Sequence, residues 1–439
     1  MCIRDSFQGD RQNVAAQAGL DGYQQSQRAV ARGAQLVVGT YTPYYNKATG
    51  AMQYALGRSE DTVRQVVLSD RVAAIAAGLE LGGALPADRN GVLLLDTTRL
   101  NGFGLGAVRI AAEDIAAQSD LTVAPGGDIT LFASRVSVDG TLSARSGSIR
   151  LGNVLSQVTP SGPNDTSIGA TPSDRLTLGA RGRLDTSGLW SNLALAPGMT
   201  GAMPYLNGGS VSLRGSGDIL LERGSVIHVG SGAALRAKGK LTGGKGGNVT
   251  IETVMSGTTT GRLDLGAELR GYGVEGGGTL SLTAGKVVLG AMPADVGADV
   301  LALAEPFFQR GFARYEIIGS RGVAVADGAR IDVAMPVYRP APEAGGAPTG
   351  ADSAAVLQAW LPPVYLPVSY THLAGLAAGG AACGTGVAVA WALAVRGVAA
   401  SAASNSRQAR RGEGLYVRMR APLKRPGGLG PPCHQYRDG

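Results

Sequence analysis

Hydrolysis of a glycosidic bond needs two carboxylates about 5–10 Å apart, and the chain offers two adjacent acidic pairs, Glu60-Asp61 and Glu113-Asp114. Glu113-Asp114 stands just before an alternating run, which is the place of a solvated corner. The Asp-Asp pair and His-Gly step that a coiled polysaccharide hydrolase would bring are absent. His228, within Val226-Ile227-His228-Val229, alternates with apolar neighbours and has no second His or Cys nearby. Zinc takes three or four ligands, so His228 is read as a surface residue on a polar strand face. Gly271-Tyr272-Gly273-Val274-Glu275-Gly276 spells a dinucleotide fingerprint, but no helical pattern follows it, and it reads as a corner. Gly243-Gly244-Lys245-Gly246-Gly247 lacks the Asp of calcium-binding nonapeptides and reads as a turn. Tyr41, Tyr44 and Tyr45 around Pro43 could stack on a sugar, although packing of a loop is the simpler reading. An integrin-type Arg-Gly-Asp is absent, its nearest approach being Arg411-Gly412-Glu413. No catalytic, cofactor-binding or metal-ligating residue is therefore assigned, no cofactor is expected, and the chain is read as non-enzymatic.

The elements that would position these residues announce themselves by period two. Asp128-Ile129-Thr130-Leu131, Ser148-Ile149-Arg150-Leu151, Ser210-Val211-Ser212-Leu213, Asn248-Val249-Thr250-Ile251 and Thr279-Leu280-Ser281-Leu282 alternate polar and apolar residues. Such runs are half-buried strands. Four of them directly follow a Gly-Gly pair and the fifth follows Gly147. Ile129 and Ile149 are 20 residues apart, with two further short strand candidates between them in 135–144. Three strands per ~20-residue step form one rung of a parallel β-coil, whose inner faces are buried by stacking. Val211 to Val249, at 38 residues, reads as two such steps, while the 31 from Val249 to Leu280 implies a corner insertion. Corner glycines would supply positive φ. Aromatic residues, 5% of the chain, suit a narrow coil interior better than a β-sandwich core, and no ~40-residue propeller signature recurs. Leu301–Arg314, with Phe307, Phe308 and Phe312, reads as a short helix plugging a corner or covering the coil's side.

The net charge of +7 in 439 residues suggests an acidic partner until it is located. Residues 374–439 hold nine basic and two acidic residues, which leaves 31 of each sign in residues 1–373. Cys2, Cys383 and Cys433 also lie near the ends. Met1-Cys2-Ile3-Arg4-Asp5-Ser6 can be encoded by a string whose reverse complement encodes Pro367-Val368-Ser369-Tyr370-Thr371-His372. This inverted pair resembles a transposon end used in sequencing libraries. Residues 1–6 and 367–373 are accordingly read as adaptor scars and set aside. Residues 374–439 are read as foreign or out-of-frame and disordered. On that reading the apolar Ala374–Ala403 is no membrane span and the basic Arg407–Arg425 no nucleic-acid tail. The remainder divides into a β-rich segment with loops (7–92), a shaft (93–290), and its continuation with a helical insertion and a Pro-rich end (291–366).

Leu93-Leu94-Leu95-Asp96-Thr97-Thr98-Arg99-Leu100-Asn101-Gly102-Phe103-Gly104 leads into Asp120-Leu121-Thr122-Val123-Ala124-Pro125-Gly126-Gly127 and Val136-Ser137-Val138-Asp139-Gly140. Later come Leu184-Asp185-Thr186-Ser187-Gly188, Asn207-Gly208-Gly209-Ser210-Val211 and Pro306-Phe307-Phe308-Gln309-Arg310-Gly311-Phe312. In this order, over residues 10–365, the chain resembles the filamentous haemagglutinin family of large exoproteins exported by two-partner secretion in Gram-negative bacteria. The resemblance implies an all-β, right-handed parallel β-helix (β-solenoid) with corner insertions. It further implies a secreted, cell-surface adhesin, with an outer-membrane transporter as export partner and a host or neighbouring-cell receptor or glycan as ligand of the parent protein. The family's signal peptide, amino-terminal secretion domain and adhesin tip are not recognised, so the chain is expected to be an internal shaft fragment. The competing expectation is a polysaccharide-binding or polysaccharide-cleaving β-helix.

Overall fold

The structure, a computed structural model, describes residues 33–39, 41–46, 51–56, 64–72, 86, 89–159, 162–167, 173–195, 197, 200–254, 261–329, 331, 335–361 and 415–420. At 41–46, 51–56, 155–159, 162–167, 200–202, 237 and 415–420 it describes the backbone alone. The fold is all-β, built on long parallel sheets.

The alternating runs are strands of one sheet. Gln35–Val38, Ala107–Ala111, Asp128–Phe132, Ser148–Gly152, Ser210–Gly215, Asn248–Thr253, Thr279–Ala284 and Arg314–Gly319 pair in that order, each parallel to the next. A second parallel sheet runs from Val92–Asp96 through Gln65–Ser69, Asp114–Ala117, Arg135–Val138, Arg175–Leu178 and Asp218–Leu221 to Leu263–Leu265. A third holds Leu121–Thr122, Thr141–Ser143, Arg183–Asp185, Val226–His228 and Glu268–Arg270. From Ala107 to Arg270 the chain visits the first, second and third sheets in unvarying rotation.

The core is made of columns, because parallel register places like positions over one another. Val108, Ile129, Ile149, Val211, Val249, Leu280 and Tyr315 form one column of the first sheet. Ile110, Leu131, Leu151, Leu213, Ile251, Leu282 and Ile317 form the next. All are buried in a single apolar cluster with Ile115, Val136, Leu176 and Ile219 of the second sheet and Leu121, Leu142, Leu184, Ile227 and Leu269 of the third.

Register corrects the count of rungs. Val211 pairs directly with Val249, so the 38 residues between them are one step and not two. The excess is a corner insertion in which Ala233–Leu235 and Leu241–Gly243 pair antiparallel. Ile149 likewise pairs directly with Val211 across 62 residues. The intervening chain makes the antiparallel hairpin Val154–Thr159/Gly162–Ser167 and the strand Trp190–Asn192.

The glycines before the strands also act otherwise than expected. Gly127, Gly147, Gly209, Gly247 and Gly278 lack positive φ. Each instead presses against the backbone of the preceding step: a methyl group on Gly147, Gly209, Gly247 or Gly278 would overlap the carbonyl oxygen of Gly127, Gly147, Gly209 or Gly247 respectively. Corner glycines that do take positive φ include Gly126 (76°) and Gly224 (100°).

Leu301–Arg314 does hold a short helix, the 3-10 helix Glu305–Gln309, between the end of strand Val300–Leu303 and the start of Arg314–Gly319. Phe308 and Phe312 are fully buried there, edge-on to Tyr315, so aromatic rings fill the core at this last parallel step. Beyond it, Leu415–Arg420, within the stretch read as foreign, pairs antiparallel with Arg314–Gly319. In the stretch read as amino-terminal, Gln35–Val38 and Gln65–Ser69 already belong to the first two sheets.

Residues 335–361 form an arm. Val337–Pro340 and Leu357–Trp360 pair antiparallel, joined through a 3-10 turn at Pro342–Gly346 and the short helix Ser353–Val356. Trp190, Ala233, Tyr338, Ala344, Val356 and Leu357 make a second apolar cluster where the arm meets the corner insertions.

Candidate functional site

The residues singled out by their chemistry are scattered. Glu60-Asp61 lies outside the described residues, as do the side chains of Tyr41, Tyr44 and Tyr45, whose backbone belongs to the hairpin Tyr41–Asn46/Ala51–Leu56. Arg411-Gly412-Glu413 and Ala374–Ala403 also lie outside them. Glu113 is exposed, and Asp114 grips the Arg135 guanidinium of the next strand with both oxygens. That ion pair joins the first residues of two neighbouring strands, Asp114–Ala117 and Arg135–Val138. Gly271–Gly276 is a corner without a helix, and Gly243–Gly247 ends a strand and turns. Among the described residues no three His, Cys, Asp or Glu side chains gather as a metal site, and no helix is long and apolar enough to cross a membrane.

The polar side chains that do converge lie on the outer face of the third sheet. Ser143, Asp185, His228 and Arg270 stand in one row by register. Alternation sends the neighbouring Leu142, Leu184, Ile227 and Leu269 inward. The reading of His228 as polar-faced is right, and its reading as a surface residue is wrong: it is 6% exposed. Period two fixes the side a residue faces, whereas the cover over that side comes from the arm, 110 residues further along the chain at Tyr338.

His228 Nε2 and the Tyr338 hydroxyl are 3.2 Å apart, and His228 Nδ1 is 3.7 Å from Asp185 Oδ1. Arg145 spans the joint. Its Nε donates to the Ser187 carbonyl at 3.0 Å, and its terminal nitrogens to Gly188 O at 3.0 Å, Asp185 Oδ2 at 3.3 Å and Ser353 Oγ at 3.2 Å. Asp352 Oδ1 on the arm lies 3.9 Å from the same guanidinium. Trp190, fully buried, donates from Nε1 to Ala347 O at 3.2 Å, and Asn192 Nδ2 donates to that oxygen at 2.9 Å.

Burial dominates the electrostatics. Loss of solvent pushes the His228 imidazole below its ordinary value of 6.5; Asp185 opposes the shift, and Arg145 and Arg270 reinforce it. Burial likewise raises the Tyr338 and Tyr272 phenols. Arg270 is held charged by its hydrogen bonds to Glu268, whose carboxyl is lowered in return.

No family model matches the chain, and no curated protein or solved structure matches it at a significant level.

An Asp–His–Tyr series is the arrangement of a proton relay, yet the imidazole and phenol are both sealed from solvent here. With Arg145 it can instead fasten the arm to the sheets. Sequence reasoning missed Arg145, Asp185, Trp190 and Tyr338. Trp190, one of three tryptophans in the chain, was the available signal for a second core.

Proposed function

We infer that the chain is a structural shaft segment of a secreted, cell-surface adhesin of the filamentous haemagglutinin kind, exported through an outer-membrane two-partner transporter. The observation that carries this reading is the pair of unbroken apolar columns crossing seven parallel strands of the first sheet. The fixed rotation through three sheets supports a closed coil, and the hand preferred by parallel crossovers makes it right-handed. Each step buries its inner face only against its neighbours, so the coil is stiff along its axis without disulfides or metals. Such a coil suits export, because it can form step by step as the chain emerges. The receptor or glycan would be met by the parent protein's distal parts, which the shaft holds away from the cell. Nucleic acid has no place in this reading.

The test is export. Placed between the secretion domain and a carboxy-terminal epitope of a two-partner exoprotein, in a Gram-negative host carrying the matching transporter, the chain should bring the epitope to the cell surface. Retention in the periplasm would overturn the shaft reading. Release of reducing ends from acidic polysaccharides by the purified chain would favour a polysaccharide-cleaving coil instead.

A further inference from the structure

The joint between arm and shaft contains a histidine, the side chain whose ordinary pKa lies near neutrality. Gly230 makes the space for it: a Cβ there would stand 2.8 Å from His228 Nε2 and 2.9 Å from the Tyr338 ring. Tyr338 is itself 5% exposed, lies 5.4 Å from the Tyr272 ring, and donates its backbone N–H to Gly273 O at 3.1 Å. On the arm side the imidazole has the neutral Tyr338 hydroxyl as its hydrogen-bond partner. On the shaft side the nearest carboxylate is already engaged, since Asp185 accepts from Arg145, from the Ser187 amide and from the Ser187 hydroxyl.

We propose that His228 is a proton-operated latch: neutral, it seals the arm 335–361 onto the third sheet, and its protonation releases the arm. The charged and titratable groups facing it come from every element packed around it. These are Asp185 on its neighbouring strand, Arg270 with Glu268 on the other neighbour, Arg145 at a corner, Tyr272 in a corner, and Tyr338 and Asp352 on the arm. Arg145 and Arg270 repel an imidazolium, and Asp352, 61% exposed, is too well hydrated to compensate for them. Lifting the arm returns the ring to water, where its pKa is about 6.5.

The sign follows from linkage. The closed state depresses the imidazole pKa, so closure has its full stability above about pH 6.5 and loses it as the pH falls toward the lower value of the closed state. Within that window the ratio of open to closed arm rises about tenfold per pH unit.

Hydrogen exchange on the full chain tests this between about pH 7.5 and about pH 5, with rates corrected for intrinsic pH dependence. The arm amides that bond across the joint are Tyr338 and Gly350, which donate to Gly273 and Trp190. Their protection should fall on acidification by about tenfold or more relative to Ser210 and Asn248, which bond between shaft steps. His228→Gln keeps a donor at the same reach without titrating, and its arm should stay protected at the lower pH. An identical acid loss in His228→Gln, an arm indifferent to pH, or arm and shaft opening together would each overturn the latch. Should that variant fail to fold, the His228 Cε1 proton decides in a chain that keeps His228, with the signals of His372 and His434 removed by substitution. Titration below 6.5 in step with arm exchange supports the proposal; titration at or above 6.5, or without arm opening, overturns it.

Discussion

Gly209 lies so close against Gly147 of the preceding step that a methyl group on its Cα would overlap the Gly147 carbonyl oxygen. The same relation links Gly147 to Gly127, Gly247 to Gly209 and Gly278 to Gly247, a column of backbone on backbone beside the apolar columns. Gly209→Ala should therefore destabilise the fold by about 1–3 kcal/mol, the range for forcing extra atoms into packed structure. Gly346→Ala, with open space around it, should be neutral or slightly stabilising. Urea unfolding of the two variants side by side checks both.

Leu213 is fully buried between Leu151 and Ile251, its neighbours above and below in one column. Leu213→Ala should cost about 2–5 kcal/mol, because parallel register prevents the flanking steps from collapsing into the gap. Leu213→Ile should cost under about 1.5 kcal/mol, since it keeps the volume. Circular dichroism followed through thermal unfolding gives the difference, with a β-dominated starting spectrum expected for all three proteins.

Much of the fold was legible, for a local reason. Period two in Ser148-Ile149-Arg150-Leu151 and its counterparts depends only on which side of a strand faces the core. The length of a step was less legible. Twenty residues separate Ile129 from Ile149 and 62 separate Ile149 from Val211, yet both are single steps, because corner insertions add chain without moving the register. The joint at His228 was hidden for a different reason. Its polar row could be read from alternation, but the arm that buries it is joined to it only through tertiary packing. The glycines misled in kind: their number marked corners correctly, while at Gly209 and its relatives close approach, and not positive φ, excludes a side chain.

Asn101 closes the edge of the third sheet. Its side-chain Nδ2 donates to Asp120 O at 2.9 Å, and its Oδ1 accepts from the Thr122 amide at 2.7 Å, the two bonds that a further strand would make. The residue is held there by the short helix Thr97–Gly102, whose N-cap Asp96 accepts from the Thr98 and Arg99 amides. Asn101→Ala should cost about 0.5–1.5 kcal/mol, the net worth of an ordinary hydrogen bond, since water can reach the groups it leaves. It should also raise self-association, because an unpaired strand edge recruits other chains. Faster exchange at the Thr122 amide and a concentration-dependent sedimentation coefficient are the expected signs.

Arg145 holds the other half of the joint, and its removal should loosen the arm from the sheets at neutral pH. The guanidinium is 17% exposed on its side chain and satisfies Ser187 O, Gly188 O, Asp185 and Ser353 at once. Arg145→Met keeps most of the volume and removes every one of these bonds, leaving Asp185 without its cation. Breaking a largely buried pair in this way costs about 3–5 kcal/mol. The partial exposure of both groups places this site at or below the lower figure. The loss should fall on the arm, since Arg145 is the side chain that reaches Ser353 and Asp352 from the shaft, while the apolar columns do not involve it. Limited proteolysis at neutral pH should cut Arg145→Met first within residues 335–361, with the strands from Asp128 to Arg270 still resistant. Equal cleavage of arm and shaft would show that Arg145 stabilises the whole fold and not the joint.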